Sequence, residues 1–97
     1  MPEVLVGEGA EEEYAEALRW YAERSAQAAE GFVTELDRAF ACIAENPARY
    51  PTCDDRHRAF LLRRYPFHVI YRELPGDALL VVAIAHTSRR PSYWTHR

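Results

Sequence analysis

The chain has 97 residues, 48% of them hydrophobic and 28% charged, which suits one small folded domain with its own core. Its longest apolar run, Ala78 to Ala85, is far shorter than the ~20 residues that span a bilayer. No early segment has the pattern of a secretory signal, so we predict a cytoplasmic protein. Two cysteines are too few for a disulfide framework, and zinc, Walker-type and nucleophile-elbow patterns are absent, so no cofactor or metal is predicted.

The formal net charge of −3 conceals a division of charge along the chain. Residues 1–55 contain four Arg and thirteen Asp or Glu, a net charge of −9. Residues 56–97 contain eight Arg and two acids, a net charge of +6. One interpretation is an anionic target for the second half, with the acidic half facing solvent or a basic partner. The other is that the two halves attract each other within the fold.

The first half of the chain predicts one strand followed by two helices. Glu3 to Val6 is a short apolar stretch that stops at Gly7, as a strand does. Apolar residues then recur at helical spacing up to Arg24, at Ala10, Tyr14, Ala17, Leu18 and Tyr21. Ser25 is placed to cap a second helix, which the Asn46-Pro47 pair ends. The second apolar stripe consists of Ala29, Phe32, Val33, Leu36, Phe40 and Ile43.

Three consecutive strands are predicted in the second half of the chain. They cover His57 to Arg64, Phe67 to Glu73 and Ala78 to Ala85. Tyr65-Pro66 joins the first two, and Leu74 to Asp77 joins the last two in a sequence suited to a type II turn. The element order is therefore β-α-α-β-β-β. We predict a single α+β domain over residues 1–97, with an antiparallel sheet and the N-terminal helical pair packed on one face.

A four-residue connection after Glu73 would place Glu73 opposite Ala78. The helix-facing side of the sheet would then contain Phe67, Val69, Tyr71, Leu80, Val82 and Ile84. The other side would carry His68, Ile70, Arg72, Leu79, Val81 and Ala83, and Arg63 would lie opposite His68. We predict that this second face is open and that Ile70, Arg72, Leu79 and Val81 bind a partner protein there.

Several short motifs occur in a fixed order along the chain. They are Trp20-Tyr21 with Phe32, then Asn46-Pro47, then the segment from Arg63 to Tyr71 (RRYPFHVIY), then the segment from His86 to Trp94 (HTSRRPSYW). Over nearly the whole length this set resembles the RelE/ParE toxin superfamily of bacterial type II toxin–antitoxin systems, in its plasmid-stabilisation branch. The resemblance implies a small toxin that inhibits growth and is neutralised by a cognate antitoxin protein wrapped around it.

Two modes of action are known in that superfamily, and both remain open at this point. RelE-like toxins cut mRNA in the ribosome, whereas ParE-like toxins poison DNA gyrase without being nucleases. RNA cleavage requires a base, an acid and cations that stabilise the developing phosphorane charge. Resemblance to the RNA-cutting branch implies these candidate catalytic residues: Arg63, His68, His86, Arg89, Arg90 and Tyr93. His86 or Tyr93 would act as base or acid, with an Arg as charge stabiliser.

Structural roles compete with these catalytic roles. His86 could bond to its own turn at the end of a strand, and Tyr93 with Trp94 could cover the edge of the core instead of stacking on bases. His57 and His96 are predicted to be surface groups. Net acidity disfavours a nuclease, which gains affinity from phosphate contacts, but the basic second half favours one. A third hypothesis is an inactive relative that serves only as an antitoxin-binding or dimerisation module.

Overall fold

The computed structural model describes residues 1–97 and contains two long helices and a four-stranded sheet. The strands are β1 (Glu3–Val6), β2 (Arg58–Leu61), β3 (Phe67–Leu74) and β4 (Ala78–His86). The helices are α1 (Glu8–Arg24) and α2 (Ala26–Glu45), and a 3₁₀ turn, Pro47–Arg49, follows α2. The predicted α+β class and element order are confirmed. Neither long helix has the length and apolar character needed to cross a membrane.

Ser25 alone separates the two helices and serves both of them. Its backbone N–H donates to the carbonyl of Tyr21 at 2.8 Å and so closes α1, while its side-chain oxygen accepts from the N–H of Ala28 at 3.1 Å and caps α2. Ser25 adopts an extended conformation between the two helical segments, and α2 folds back on α1. Phe32 of α2 accordingly contacts the rings of Tyr14 and Tyr21 of α1, at centroid distances of 6.1 and 5.3 Å.

The strand order in the sheet is β1-β4-β3-β2. The three C-terminal strands pair antiparallel, as predicted. β1 joins the sheet beside β4 in a parallel orientation, with Glu3 opposite Ala78 and Val6 opposite Val81, so the complete sheet is mixed. β1 therefore lies along only the first part of β4. The remainder of β4, from Val82 onward, has no neighbouring strand on that side.

The connection between β3 and β4 is one residue shorter than predicted. Leu74 pairs with Ala78, so the loop contains only residues 75–77, and the predicted pairing of Glu73 with Ala78 is wrong. Two successive positive φ angles, 79° at Gly76 and 56° at Asp77, turn the chain within these three residues. Glu73 then lies opposite Leu79, which moves the side chains in the first part of β4, from Ala78 to Val81, to the opposite sheet face from the one predicted.

A bulge shifts the register a second time in the middle of the same pair. Tyr71 pairs with Val81 and Ile70 with Ala83, which leaves Val82 as the extra residue of β4. The combined shifts place Val81 and Ile84 on one face of the sheet and Ala83 and Ala85 on the other. The sheet therefore keeps two distinct apolar faces, but their membership on β4 differs from the prediction.

The helix-facing side of the sheet holds the main core. Its sheet residues are Phe60, Phe67, Val69, Tyr71, Leu79, Val81 and Ile84, and its helix residues are Ala10, Ala17, Phe32, Leu36, Ala39 and Ile43. Leu79 and Val81 are only 2% and 0% exposed, so the prediction that they lie on an open face is wrong. Each contributes roughly 1.5–3 kcal/mol of burial to the core and is unavailable to a partner.

The second face of the sheet is covered rather than open. Trp94 folds back onto it and is 6% exposed. Its cluster consists of Ile70, Val82, Ala83, Ala85 and Trp94, with Ala59, Leu80 and Tyr93 packed around it. Ile70 is consequently 3% exposed, and its predicted place in an exposed apolar patch is wrong.

β2 is shorter than predicted because the chain leaves the sheet after Leu61. The N–H of Leu62 donates to the carbonyl of Phe67 at 3.0 Å, and the N–H of Arg63 donates to Glu35 of α2 at 3.1 Å. Residues 62–66 therefore form a loop that is drawn toward α2. His68 is paired with Leu61 and not, as predicted, with Arg63.

Candidate functional site

We call residues 87–97, which follow β4, the tail. The tail consists of turns, closed by backbone hydrogen bonds from Arg89 to His86 (3.0 Å), from Thr95 to Ser92 (3.2 Å) and from Arg97 to Trp94 (2.9 Å). Its successive turns place the side chains of Arg89 and Arg97 near the Tyr93 ring, while Trp94 anchors the tail to the sheet. The tail therefore contributes three of the six catalytic candidates: Arg89, Arg90 and Tyr93.

Glu13 of α1 is the residue to which the tail side chains converge. Its side chain is 11% exposed. One carboxylate oxygen accepts from the N–H of Ile84 (3.0 Å) and from Arg97 Nη1 (3.0 Å). The other accepts from Arg89 Nη1 (3.1 Å) and from the hydroxyl of Tyr93 (2.6 Å). One carboxylate thus holds three tail residues and the end of β4, with charge-assisted hydrogen bonds that are roughly twice as strong as neutral ones.

Glu13 and Arg97 also complete the part of β4 that β1 does not reach. The N–H of Ile84 donates to Glu13, and the carbonyl of Val82 accepts from Arg97 Nη1 at 3.0 Å. Side chains therefore satisfy backbone groups that a longer β1 would have paired. Arg97 reaches this position across Gly9, where a Cβ atom would lie 2.6 Å from the guanidinium carbon and would force the Arg97 side chain to shift.

Arg89 and Tyr93 form a stacked pair at the surface. The guanidinium of Arg89 lies 3.9 Å from the centroid of the Tyr93 ring, and the Arg89 side chain is 54% exposed. Burial, followed by the hydrogen bond to the Glu13 carboxylate, raises the pKa of the Tyr93 phenol well above its usual value of 10. The hydroxyl of Tyr93 therefore stays protonated at neutral pH and is a poor general base.

His86 lies at the exposed end of β4 and bonds to its own turn. Its Nδ1 accepts from the N–H of Ser88 at 3.1 Å and lies 2.7 Å from the Ser88 hydroxyl. In the neutral ring the proton is consequently on Nε2. The rings of Phe67 and His86 pack nearly perpendicular to each other, with a centroid distance of 5.0 Å. This geometry matches the structural role that the sequence left open for His86.

The other candidates lie outside the Glu13 cluster. Arg63 is exposed in the loop between β2 and β3, and Arg90 is exposed in the tail. His68 is half-buried on β3, opposite Ala85. Arg72, predicted to bind a partner, is half-buried and its Nε donates to the backbone carbonyl of Arg97 at 3.4 Å. The structure therefore brings together only two of the six catalytic candidates, Arg89 and Tyr93, with His86 at the start of the same turn.

A cleft of about 430 Å³ lies beside this cluster, between α1 and the ends of β3 and β4. Its lining consists of Glu13, Glu16, Ala17, Trp20, Tyr21, Pro66, Phe67, Ile84, His86 and Arg89. Trp20 is 51% exposed, and the guanidinium of Arg24 lies 3.7 Å from its ring centroid. The cleft thus combines an exposed aromatic ring and apolar walls with cations at its margin, which is a surface suited to a protein partner.

His57 is a buried group and not, as predicted, a surface one. It is 1% exposed, its Nδ1 lies 3.0 Å from the Asp54 carboxylate, and its ring meets the ring of Trp94 at 5.1 Å. The N–H of Arg56, together with His57, holds the pKa of Asp54 below its usual value. His57 therefore helps to hold the tail against the sheet through its contact with Trp94. No three His, Cys, Asp or Glu side chains are grouped so that they could hold a metal ion.

The sequence prediction did not include Glu13 among the candidate site residues. A signal for its role was nevertheless available. Ala10, Glu13, Tyr14 and Ala17 follow the i, i+3, i+4, i+7 spacing of a helix face, so Glu13 lies on the apolar stripe. A carboxylate on such a stripe needs partners within the fold, and the basic tail supplies them.

Comparisons with known proteins agree with this architecture. The chain is similar in fold to a solved structure described as the chromosomal ParDE toxin–antitoxin system from P. aeruginosa, with a TM-score of 0.73 and 17% sequence identity. The match covers 91% of this chain and 98% of that chain. No protein among those with curated functions matches the sequence. The family model of the ParE toxin of the type II toxin–antitoxin system, parDE, matches residues 4–91. The chain therefore belongs to the ParE toxin family and is the toxin of a type II toxin–antitoxin system.

Proposed function

We propose that this toxin inhibits growth by acting on DNA gyrase in the cytoplasm, without cutting mRNA, and that a cognate antitoxin neutralises it. Family membership favours the gyrase target over ribosome-bound mRNA. The observation that supports it most directly is the position of Glu13, whose carboxylate fills the centre of the cation cluster. A nuclease would need that centre free for an RNA phosphate.

The chemistry of the cluster argues in the same direction. Arg89 and Arg97 are already paired with an internal carboxylate at 3.1 and 3.0 Å. An approaching phosphate would meet the negative charge of Glu13, which weakens the stabilisation that a phosphorane needs. Tyr93 keeps its proton, and the Nδ1 of His86 is occupied by Ser88. A toxin that acts by binding a protein needs no such acid–base set and tolerates a net charge of −3.

The surface that we propose for partner contact is the cleft with its margin of cations. Ile70, Leu79 and Val81 are buried and cannot form it. Trp20 offers an exposed ring of the kind that dominates protein interfaces, and Arg89 keeps more than half of its side chain accessible beside the cleft. We assign the antitoxin to this cleft.

The test compares two assays on the purified toxin: inhibition of DNA supercoiling by gyrase, and cleavage of mRNA on translating ribosomes. We expect inhibition of supercoiling and intact mRNA. Arg89→Ala should weaken the inhibition at least about tenfold, equivalent to about 1.4 kcal/mol of binding. Arg49→Ala, at an exposed arginine on the 3₁₀ turn, is the matched control and should leave inhibition unchanged.

Two other results would replace the proposal. Cleavage of mRNA by the wild-type toxin, lost in Arg89→Ala, would identify a RelE-like nuclease. A folded protein that is inactive in both assays, yet binds the small protein encoded beside it, would identify an interaction module. The assignment of the antitoxin to the cleft is tested by co-expressing that neighbouring protein with the toxin. It should restore growth with the wild-type toxin and fail to restore growth with the Trp20→Ala toxin.

A further inference from the structure

We infer that Glu13 is the positioning residue of this toxin, which fixes Arg89 and Tyr93 in the arrangement that contacts the target. This inference rests on the proposed function, because it takes the exposed side of the Arg89–Tyr93 pair as the contact surface. Glu13 itself is 11% exposed and offers little to a partner. It would therefore act through the residues that it holds.

The first argument is that the tail has no regular secondary structure to fix its side chains. Its turns leave Arg89 on the surface, with a long side chain that loses up to ~2 kcal/mol of rotamer freedom when ordered. Glu13 removes much of that freedom before any partner binds, since its carboxylate holds Arg89 Nη1 at 3.1 Å and the Tyr93 hydroxyl at 2.6 Å. Ordering in advance lowers the entropy lost on binding.

The second argument is that two side chains, Glu13 and Tyr93, together fix the position of Arg89. The Tyr93 ring lies 3.9 Å from the Arg89 guanidinium carbon, and the same Glu13 oxygen binds both side chains. The position of the Tyr93 ring therefore depends on Glu13 as well. A change at Glu13 would release the salt bridge and the stacking partner of Arg89 together.

The third argument is that Glu13 is itself fixed from a rigid element. It lies inside α1 and accepts the N–H of Ile84 in the core strand β4 at 3.0 Å. Arg97 Nη1 donates to the same oxygen at 3.0 Å. The carboxylate is thus fixed by a helix and a strand. Because Arg89 is bound to this carboxylate, the position of its side chain is fixed as well.

The test uses Glu13→Gln, which keeps the shape of the side chain but removes the charge and one of its two oxygen acceptors. Glu12→Gln, at the exposed neighbour, makes the same charge change without touching the tail. We expect the concentration for half-maximal gyrase inhibition to rise at least about tenfold in Glu13→Gln, equivalent to about 1.4 kcal/mol, and to stay within about twofold in Glu12→Gln. Tyr93→Phe, which removes only one contact, should give an intermediate rise, and it serves if Glu13→Gln does not fold.

A double-mutant cycle separates positioning from general stability. In an Arg89→Ala background, Glu13→Gln should raise the half-maximal concentration by a clearly smaller factor than in the wild type, because one of the two residues through which Glu13 acts is gone. An equal rise in both backgrounds, or no difference between Glu13→Gln and Glu12→Gln, would overturn the inference.

Hydrogen exchange makes the inference testable apart from gyrase. The amides of Arg89, Thr95 and Arg97 close the tail turns, so they should exchange faster in Glu13→Gln than in the wild type or in Glu12→Gln. If the wild-type toxin fails to inhibit gyrase, the proposed function fails, and exchange alone decides whether Glu13 orders the tail. Unchanged exchange in Glu13→Gln would then refute the positioning role.

Discussion

Gly31 lies in the interior of α2, where glycine is roughly 0.5–1 kcal/mol less favourable than alanine. The reason for glycine there is Tyr65, from the loop between β2 and β3. Its hydroxyl donates to the carbonyl of Ala28 at 2.8 Å, and a Cβ at position 31 would collide with that hydroxyl oxygen. The missing side chain thus allows the loop to dock onto the helix.

We expect Gly31→Ala to lower the free energy of unfolding by about 1–3 kcal/mol, because the added methyl group displaces the Tyr65 ring. In a Tyr65→Phe background the hydroxyl is absent, and the remaining ring atoms lie 3.5 and 3.8 Å from the added Cβ, at ordinary contact distance. There the same substitution should be neutral or stabilising by up to about 1 kcal/mol. Urea unfolding of the four proteins checks this, and equal costs in both backgrounds would contradict it.

Residue-scale features of this kind were the least predictable from sequence. The basic residues and the aromatic pair of the tail could be selected as site candidates, because their residue types suit anion or partner contact. The carboxylate that organises them could not be assigned, since it lies 76 residues before Arg89 and its role depends on how the tail folds back. Long-range side-chain pairing is set by the fold and not by local pattern.

At the scale of elements, the helical hairpin depends on the single residue between its helices. The first turn of α2 contains no acidic residue, so Ser25 is the only local group that stabilises the positive end of that helix. Its backbone closes α1 at the same time. A substitution of Ser25 therefore affects the ends of both helices, and so the packing of α2 against α1.

We expect Ser25→Ala to lower the free energy of unfolding by about 1 kcal/mol, because the N–H of Ala28 loses its side-chain acceptor. Ser25→Asp keeps an acceptor and adds a negative charge at the helix start, so it should match or exceed the wild type. Thermal and urea unfolding followed by circular dichroism measures both. A stability of Ser25→Ala equal to that of Ser25→Asp would show that the cap contributes nothing.

Element boundaries were largely predictable, whereas the register between elements was not. β1 and the junction at Ser25 follow from apolar spacing and capping chemistry, and the structure confirms them. The pairing of β3 with β4 depends on whether the loop has three or four residues and on a bulge at Val82. The apolar pattern fixes neither the loop length nor the bulge. Both faces of this sheet are apolar, so either register would bury apolar side chains.

At the scale of the whole molecule, the two faces of the sheet are covered in different ways. The helices cover one face, and the tail covers the other through Trp94, which packs on Ile70 and on the ring of His57. The charge division of the chain is partly used inside the fold, since Glu13 of the acidic half binds Arg89 and Arg97 of the basic half. The interpretation that the two halves attract each other thus has a physical basis.

The two tryptophans report separately on these surfaces. Trp94 is 6% exposed and Trp20 is 51% exposed, so a Trp20→Phe protein should emit at shorter wavelength and resist acrylamide quenching, while Trp94→Phe should do the opposite. Trp94→Ala should lower the free energy of unfolding by about 3–5 kcal/mol, because it uncovers the second face. Equal quenching of the two single-tryptophan proteins would show that the tail does not cover the sheet in solution.

The side-chain closure of the β4 edge also affects how the protein behaves when it is concentrated. An unpaired strand edge is a template on which another chain can add a strand and begin an aggregate. At this edge an incoming strand would first have to break the ion pair of Glu13 with Arg97, which occupies the N–H of Ile84 and the carbonyl of Val82. The Glu13 carboxylate, which orders the tail, therefore also protects this strand edge from pairing with another chain.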